Sequence, residues 1–243
     1  VVALAHISRK ELKTDAFRET LEHGAEAVYS HQQLTTWILV AVIIVAGSVL
    51  AWRIYSQRQN AAASADFASA MDTFGGRVIA AGQPPAQPGE TTFPDEQTKY
   101  AAAANKFGTL AAKYPHTDDG LLAKYFAAIS YIHANKNDDA KRLLTQLTTE
   151  KDPNLAALGT YQLAQLAEQN GQGDAAVKLY QQLIDHPAVM VPKSVAMLAL
   201  AEHYSQTDPT QAAKLFNQIK TDYPDTPIAD QADQGLSMLP GKS

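Results

Sequence analysis

A recurring helix face constrains this chain more than any other feature. Aligning "AANKFGTLAAKYP", "DDAKRLLTQL", "DAAVKLYQQLIDHP" and "QAAKLFNQIKTDYP" superposes Ala103, Ala140, Ala176 and Ala212, at successive spacings of 37, 36 and 36 residues. Four residues after each Ala stands a large apolar side chain (Phe107, Leu144, Tyr180, Phe216), and three further on come Leu110, Leu147, Leu183 and Ile219. Spacings of four and three put these residues on one face of an α-helix. Upstream of the last three units, "YFAAISYI", "YQLAQLAE" and "MLALAEHY" read as partner helices. Ala128, Ala164 and Ala201 sit in the middle of their apolar faces, where small side chains let two helices approach closely. From Tyr100 on there are helix signals, short loops of Pro, Asp, Asn and Gly, and no strand pattern. The period predicts an all-α fold, a solenoid of about four stacked helical hairpins.

These units resemble tetratricopeptide repeats, whose 34-residue unit is a helix hairpin with small residues at its crossing and a Pro after the second helix. Pro115 and Pro224 match that Pro, and Pro187 lies one position early. The period is longer, the usual Trp and Gly of the first helix are missing, and the last hairpin turn, "SQTDPTQ", is shorter. The first unit takes its first helix from "AAASADFASAMDTF", residues 61–74, and its second from about Asp95. Between them, Gly75 to Pro94 is rich in Gly and Pro and reads as an inserted irregular loop.

Ahead of the repeats, "LTTWILVAVIIVAGSVLAWRIY" (34–55) has no charge in the nineteen residues from Leu34 to Trp52. As a helix, that length covers the roughly 30 Å hydrocarbon core of a bilayer. Trp37 at one end, and Trp52 with Tyr55 at the other, suit the membrane interface, and Arg53 and Arg58 follow as head-group anchors. A buried core helix rarely has such flanks. A cleavable signal has a short basic start and a shorter apolar segment, whereas thirty-three mostly polar residues precede this one; the possible cleavage site at Ala63 and Ala65 lies eleven to thirteen residues beyond Trp52. A transmembrane signal-anchor helix is the preferred reading. It continues without a breaker into the first repeat helix, so one long helix is expected to leave the membrane and position the solenoid. Arg9, Lys10, Lys13 and Arg18 face Arg53 and Arg58 across the span, which leans weakly toward an inside N-terminus.

Residues 1–33 carry a capping box, Ser8 three before Glu11, and Phe17, Leu21, Gly24 and Val28 at helical spacing. Either a short amphipathic helix on the membrane surface or at a membrane partner, or a solvated tail with one apolar stripe, fits this pattern.

Composition removes several chemistries. From Asn60 onward fourteen Lys and Arg face twenty Asp and Glu, which offers no basic surface for nucleic acid. There are no cysteines, hence no disulfide, thiolate metal site or cysteine nucleophile. The seven histidines (His6, His23, His31, His116, His133, His186, His203) form no HExxH and no i, i+4 pair. "NGQGDAA" joins two helices and reads as a hairpin turn. Asp118 with Asp119, and Asp138 with Asp139, fall at helix starts, where capping and the macrodipole explain them. The residues point to no catalytic site, cofactor or metal; an enzyme using 75–94 as a lid is the residual reading.

The order of tail (1–33), span (34–55) and repeat domain (56–243) resembles the YfgM-like family of single-span bacterial proteins. That family is described as an ancillary subunit of the SecYEG translocon, with a cytoplasmic tail and a periplasmic repeat domain related to the cell-division coordinator CpoB. The resemblance implies an inner-membrane protein with its N-terminus in the cytoplasm, serving as a scaffold for envelope proteins near the translocation machinery or a periplasmic chaperone network. The alternative is a structural accessory subunit of another membrane complex, held through span and tail. Transferring the repeat family's groove positions gives Tyr125, Ile129 and His133 in one unit, Tyr161, Gln165, Glu168 and Gln169 in the next, and Leu198 and Glu202 in the one after. These line either a protein-binding groove with two Tyr anchors and a mildly acidic floor, or, for Tyr125, Ile129 and Leu198, a packing surface between repeats.

Overall fold

The computed structural model describes residues 32–80 and 89–240. The expected amphipathic segment from Ser8 to Val28 lies outside them, as does the Pro-rich centre of the 75–94 stretch. The chain divides after Arg58 into two units. The first unit is carried by the beginning of α1 (Gln32–Phe74). This helix contains a segment of mean hydropathy 2.2 that is wholly unburied, and its length and composition suffice to cross a membrane. A soluble core helix would hide these side chains, yet Trp37, Ile43 and Trp52 expose 72%, 61% and 71% of their surface. Arg53, Tyr55 and Arg58 are exposed as well.

The second unit begins with the remainder of α1 and continues through β1 (Arg77–Val78), β2 (Thr92–Phe93), α2 (Glu96–Lys113), α3 (Asp118–His133) and α4 (Asn137–Leu147). It is completed by α5 (Pro153–Gln169), α6 (Gly173–Asp185), α7 (Lys193–Thr207), α8 (Pro209–Asp222) and α9 (Pro227–Met238). Consecutive helices from α2 on pack as antiparallel neighbours, and α3 also touches α5, as α7 touches α9. The first helices of successive hairpins thus share a layer, as expected of a stacked repeat.

Burial follows the period read from the sequence. Ala103, Ala140, Ala176 and Ala212 are fully buried, as are the crossing residues Ala128, Ala164 and Ala201. The large residues of the repeated face, Phe107, Leu144, Tyr180 and Phe216 with Leu110, Leu147, Leu183 and Ile219, form the cores of the successive hairpins. In the first hairpin of the repeat domain, Phe67 and Phe74 of α1 close against Phe107 and Phe126, with ring centroids 5.6 Å apart for Phe67–Phe107 and 5.7 Å for Phe74–Phe126. Tilted and edge-to-face contacts of this kind dock the end of α1 more firmly than area alone.

The turns repeat too. Asn135 and Gly171, 36 residues apart, adopt left-handed backbone at φ 59° and 71°. Lys136 N–H donates to Tyr131 O, and Gln172 N–H to Ala167 O, both at 2.8 Å. This closes each helix with a Schellman bond, which needs Gly or Asn at the left-handed position. The last hairpin has no room for such a turn, because Asp208 alone separates α7 from α8 and caps the latter through Thr210 and Gln211 N–H. Pro115, Pro187 and Pro224 each stand two residues past the end of α2, α6 and α8, so Pro187 occupies the same structural position as the others despite its offset in the alignment.

Two details differ from expectation. The stretch read as irregular carries a short parallel pairing, Arg77 with Thr92 and Val78 with Phe93. A Cβ on Gly76 would lie 2.6 Å from the Phe93 ring, so glycine there admits the pairing. Such a two-residue ladder leaves no alternating pattern to read in a sequence. Second, the acidic pairs are in first turns and are not themselves caps: Thr117 caps α3 through Gly120 N–H at 3.0 Å, and α4 has no side-chain cap. Asp119 accepts from the Ser64 hydroxyl and Asp139 pairs with Arg142 at 3.2 Å. Their favourable place near free N–H groups remains.

Candidate protein-binding groove

The layer of first helices presents residues at i, i+4 and i+7 of each helix on one face. On α5 this face carries Tyr161, Gln165 and Glu168, all half-buried, with Gln169 exposed at the helix end. Gln165 stands one turn on from Tyr161 on the same helix face. Burial first, and the charges of Glu202 and Glu168 second, hold the Tyr161 phenol above the ordinary range. On α3, Tyr125 is half-buried, and burial likewise raises its phenol. Both tyrosines therefore stay protonated and able to donate hydrogen bonds at neutral pH.

Glu168 ties three helices together. Its Oε2 accepts the Tyr180 hydroxyl of α6 at 2.9 Å, and its Oε1 lies 2.9 Å from His203 Nδ1 of α7. Burial, followed by the Glu168 charge and this hydrogen bond, pushes the Tyr180 phenol far above its ordinary range. Tyr180 also stands 6.1 Å from the Tyr161 ring, centroid to centroid. Glu202 on α7 is an exposed residue that lines two clefts. Partial desolvation, then the Glu168 charge, pushes its carboxyl above the usual carboxylate range.

Of the residues predicted from sequence, Tyr161, Gln165, Glu168 and Glu202 come together, with Gln169 at the rim of the Glu168 cleft and Tyr125 one helix away. Tyr125 also packs on the cluster of Ala128, Ala140 and Leu144, and Leu198 on that of Met197, Phe216 and Ile219. Ile129 is half-buried on α3. His133 stands apart: exposed at the end of α3, its ring stacks on Tyr100 of α2 with centroids 4.4 Å apart. From the sequence His203 counts, with the other histidines, as a surface or groove side chain and Tyr180 as core; the structure brings both onto Glu168. One signal was available for Tyr180. The other units carry Phe107, Leu144 and Phe216 at its position, and a hydroxyl buried among apolar side chains needs a partner.

The arrangement suits recognition. A row of half-exposed Tyr, Gln and Glu side chains on rigid helices supplies ring faces, amide hydrogen bonds and negative charge. Among the described residues, no three His, Asp or Glu side chains group as metal ligands.

A family model described as a tetratricopeptide repeat-like domain matches residues 29–187, a stretch that includes the whole apolar run. A second, described as a tetratricopeptide repeat, matches residues 195–226. No curated protein matches the chain.

Proposed function

Because this chain belongs to the tetratricopeptide repeat-like domain family, we propose that it is a membrane-anchored scaffold that holds other proteins in the groove on its first helices. Repeat domains of this kind are typically protein-interaction modules without catalysis, and a helix able to cross a membrane precedes the repeats. The observation that carries the reading is the cluster of Tyr161, Gln165, Glu168 and Glu202, which are incompletely covered by the chain's own packing. Core residues of a solenoid need no such polar, half-exposed face.

In this reading residues 1–33 are a cytoplasmic tail, 34–55 the anchor, and 56–243 a periplasmic repeat domain in a bacterial inner membrane. Trp37, Trp52, Arg53, Tyr55 and Arg58 sit at its interfaces. The YfgM-like layout supports assignment of the partners to the envelope and to the neighbourhood of the translocation machinery. A second reading, an accessory subunit held through the span, is favoured by the bare apolar surface of α1. Affinity capture in mild detergent separates the two, comparing the full chain with a fragment that starts at Gln59. Partners that stay with the fragment and are lost on Tyr161→Ala support the groove; partners that require the span support the second reading.

A further inference from the structure

Two clefts adjoin along the end of the first-helix layer. One, of about 570 Å³, is lined by Glu168, Gln169, Glu202, His203 and Gln206 among others. The next, of about 370 Å³, lies between α7 and α9 and is lined by Glu202, Ser205, Gln206, Gln231, Gln234 and Met238 among others. Glu202 and Gln206 belong to both, so the two read as one track. Neither is lined by Lys or Arg. The imidazole of His203 is engaged with Glu168, leaving no lysine or arginine within the track to balance Glu202. The rise of the Glu202 carboxyl through desolvation and the Glu168 charge accords with a carboxylate that lacks a cation. Around it the glutamine amides and Ser205 offer both donors and acceptors, the set that an extended backbone requires. At the far end Met238 exposes 71% of its surface, an adaptable apolar platform.

We propose that this track takes an extended peptide segment carrying a lysine or arginine. The basic side chain enters between Glu202 and the Glu168 cluster, the Gln206, Gln231 and Gln234 amides bond the peptide backbone, and an apolar residue rests on Met238. The inference rests on the groove reading above and adds the chemistry of its occupant. Charge complementarity carries it: a carboxylate in a cleft without Lys or Arg gains most from a cation that brings its own hydrogen-bond donors. Arginine fits best, since its fork reaches a carboxylate and an amide oxygen together.

The test presents a randomised nonapeptide library to the full chain in lipid nanodiscs and sequences the bound pool. The expected result is a pool enriched about tenfold in Arg or Lys at one position, as one charge-assisted contact allows. Enrichment at that position should vanish with Glu202→Gln, a substitution at an exposed site that preserves helix content by circular dichroism. A pool that is enriched without a basic position, yet lost on Tyr161→Ala, keeps the groove and overturns the cationic occupant. A pool indifferent to both substitutions, or no enrichment at all, overturns the groove and the occupant together. Self-association of the chain that blocks library binding places a second copy in the track and also overturns the proposal.

Discussion

At the scale of single residues, Glu168 ties three helices together and lines the proposed groove. Tyr180→Phe keeps the ring in its core and removes only the hydroxyl that Glu168 accepts. The expected loss of unfolding free energy is about 1 kcal/mol, measured by urea denaturation of the repeat domain. Glu202 makes the opposite prediction. Its carboxyl is raised in the folded state by desolvation and by Glu168, so its contribution favours folding below the ordinary carboxylate pKa and is lost as pH rises through the raised value. At neutral pH the ionised form opposes folding. Glu202→Gln should therefore stabilise the domain at pH 7, by under about 1 kcal/mol after solvent screening, and give no gain below about pH 4. Thermal melts of the two proteins across that range check the sign. Gly120 sets a backbone limit of another kind: a Cβ there would lie 1.8 Å from Tyr114 O, so Gly120→Ala should cost several kcal/mol at the α2–α3 junction, on the order of other severe core clashes.

At the scale of helices, neighbouring alanines separate packing from composition. Ala176 is fully buried where α6 crosses its partner, and Ala175 beside it is exposed. Ala176→Leu should destabilise by about 1–3 kcal/mol through overpacking, and Ala175→Leu should be nearly neutral, when both are compared by denaturant midpoint. The contrast also explains what could be read in advance. A period of 36 to 37 residues fixes which helix face repeats, and a buried face tolerates few residue types, so the core from Ala103 to Ile219 was legible in the sequence. The surroundings of the proposed groove were legible only in part. Tyr161, Gln165, Glu168 and Glu202 follow from the resemblance to the repeat family's groove positions, but His203 meets Glu168 through a contact between helices that no spacing within one helix reports. His133 shares the periodic position and goes elsewhere, because Tyr100 of the preceding helix offers its ring a flat partner. The β1–β2 pairing escaped for the reason that two residues carry no period.

At the scale of the whole molecule, a helix long and apolar enough to cross a membrane and a tetratricopeptide repeat-like domain, a kind of module that implies protein partners, stand on one chain. Sidedness has a direct readout: protease added to intact cells with a permeabilised outer membrane should digest the repeats and spare the tail, and digestion from the cytoplasmic side alone would reverse the topology. The central claim is that the groove, rather than the back of the solenoid, meets other proteins. Photo-crosslinking in living cells tests it, with a photoreactive amino acid placed at Tyr161 on the first-helix face or at Lys141, exposed on α4. Discrete crosslinked partners are expected from position 161 and none from position 141. Partners captured equally from both positions, or only from 141, would contradict it.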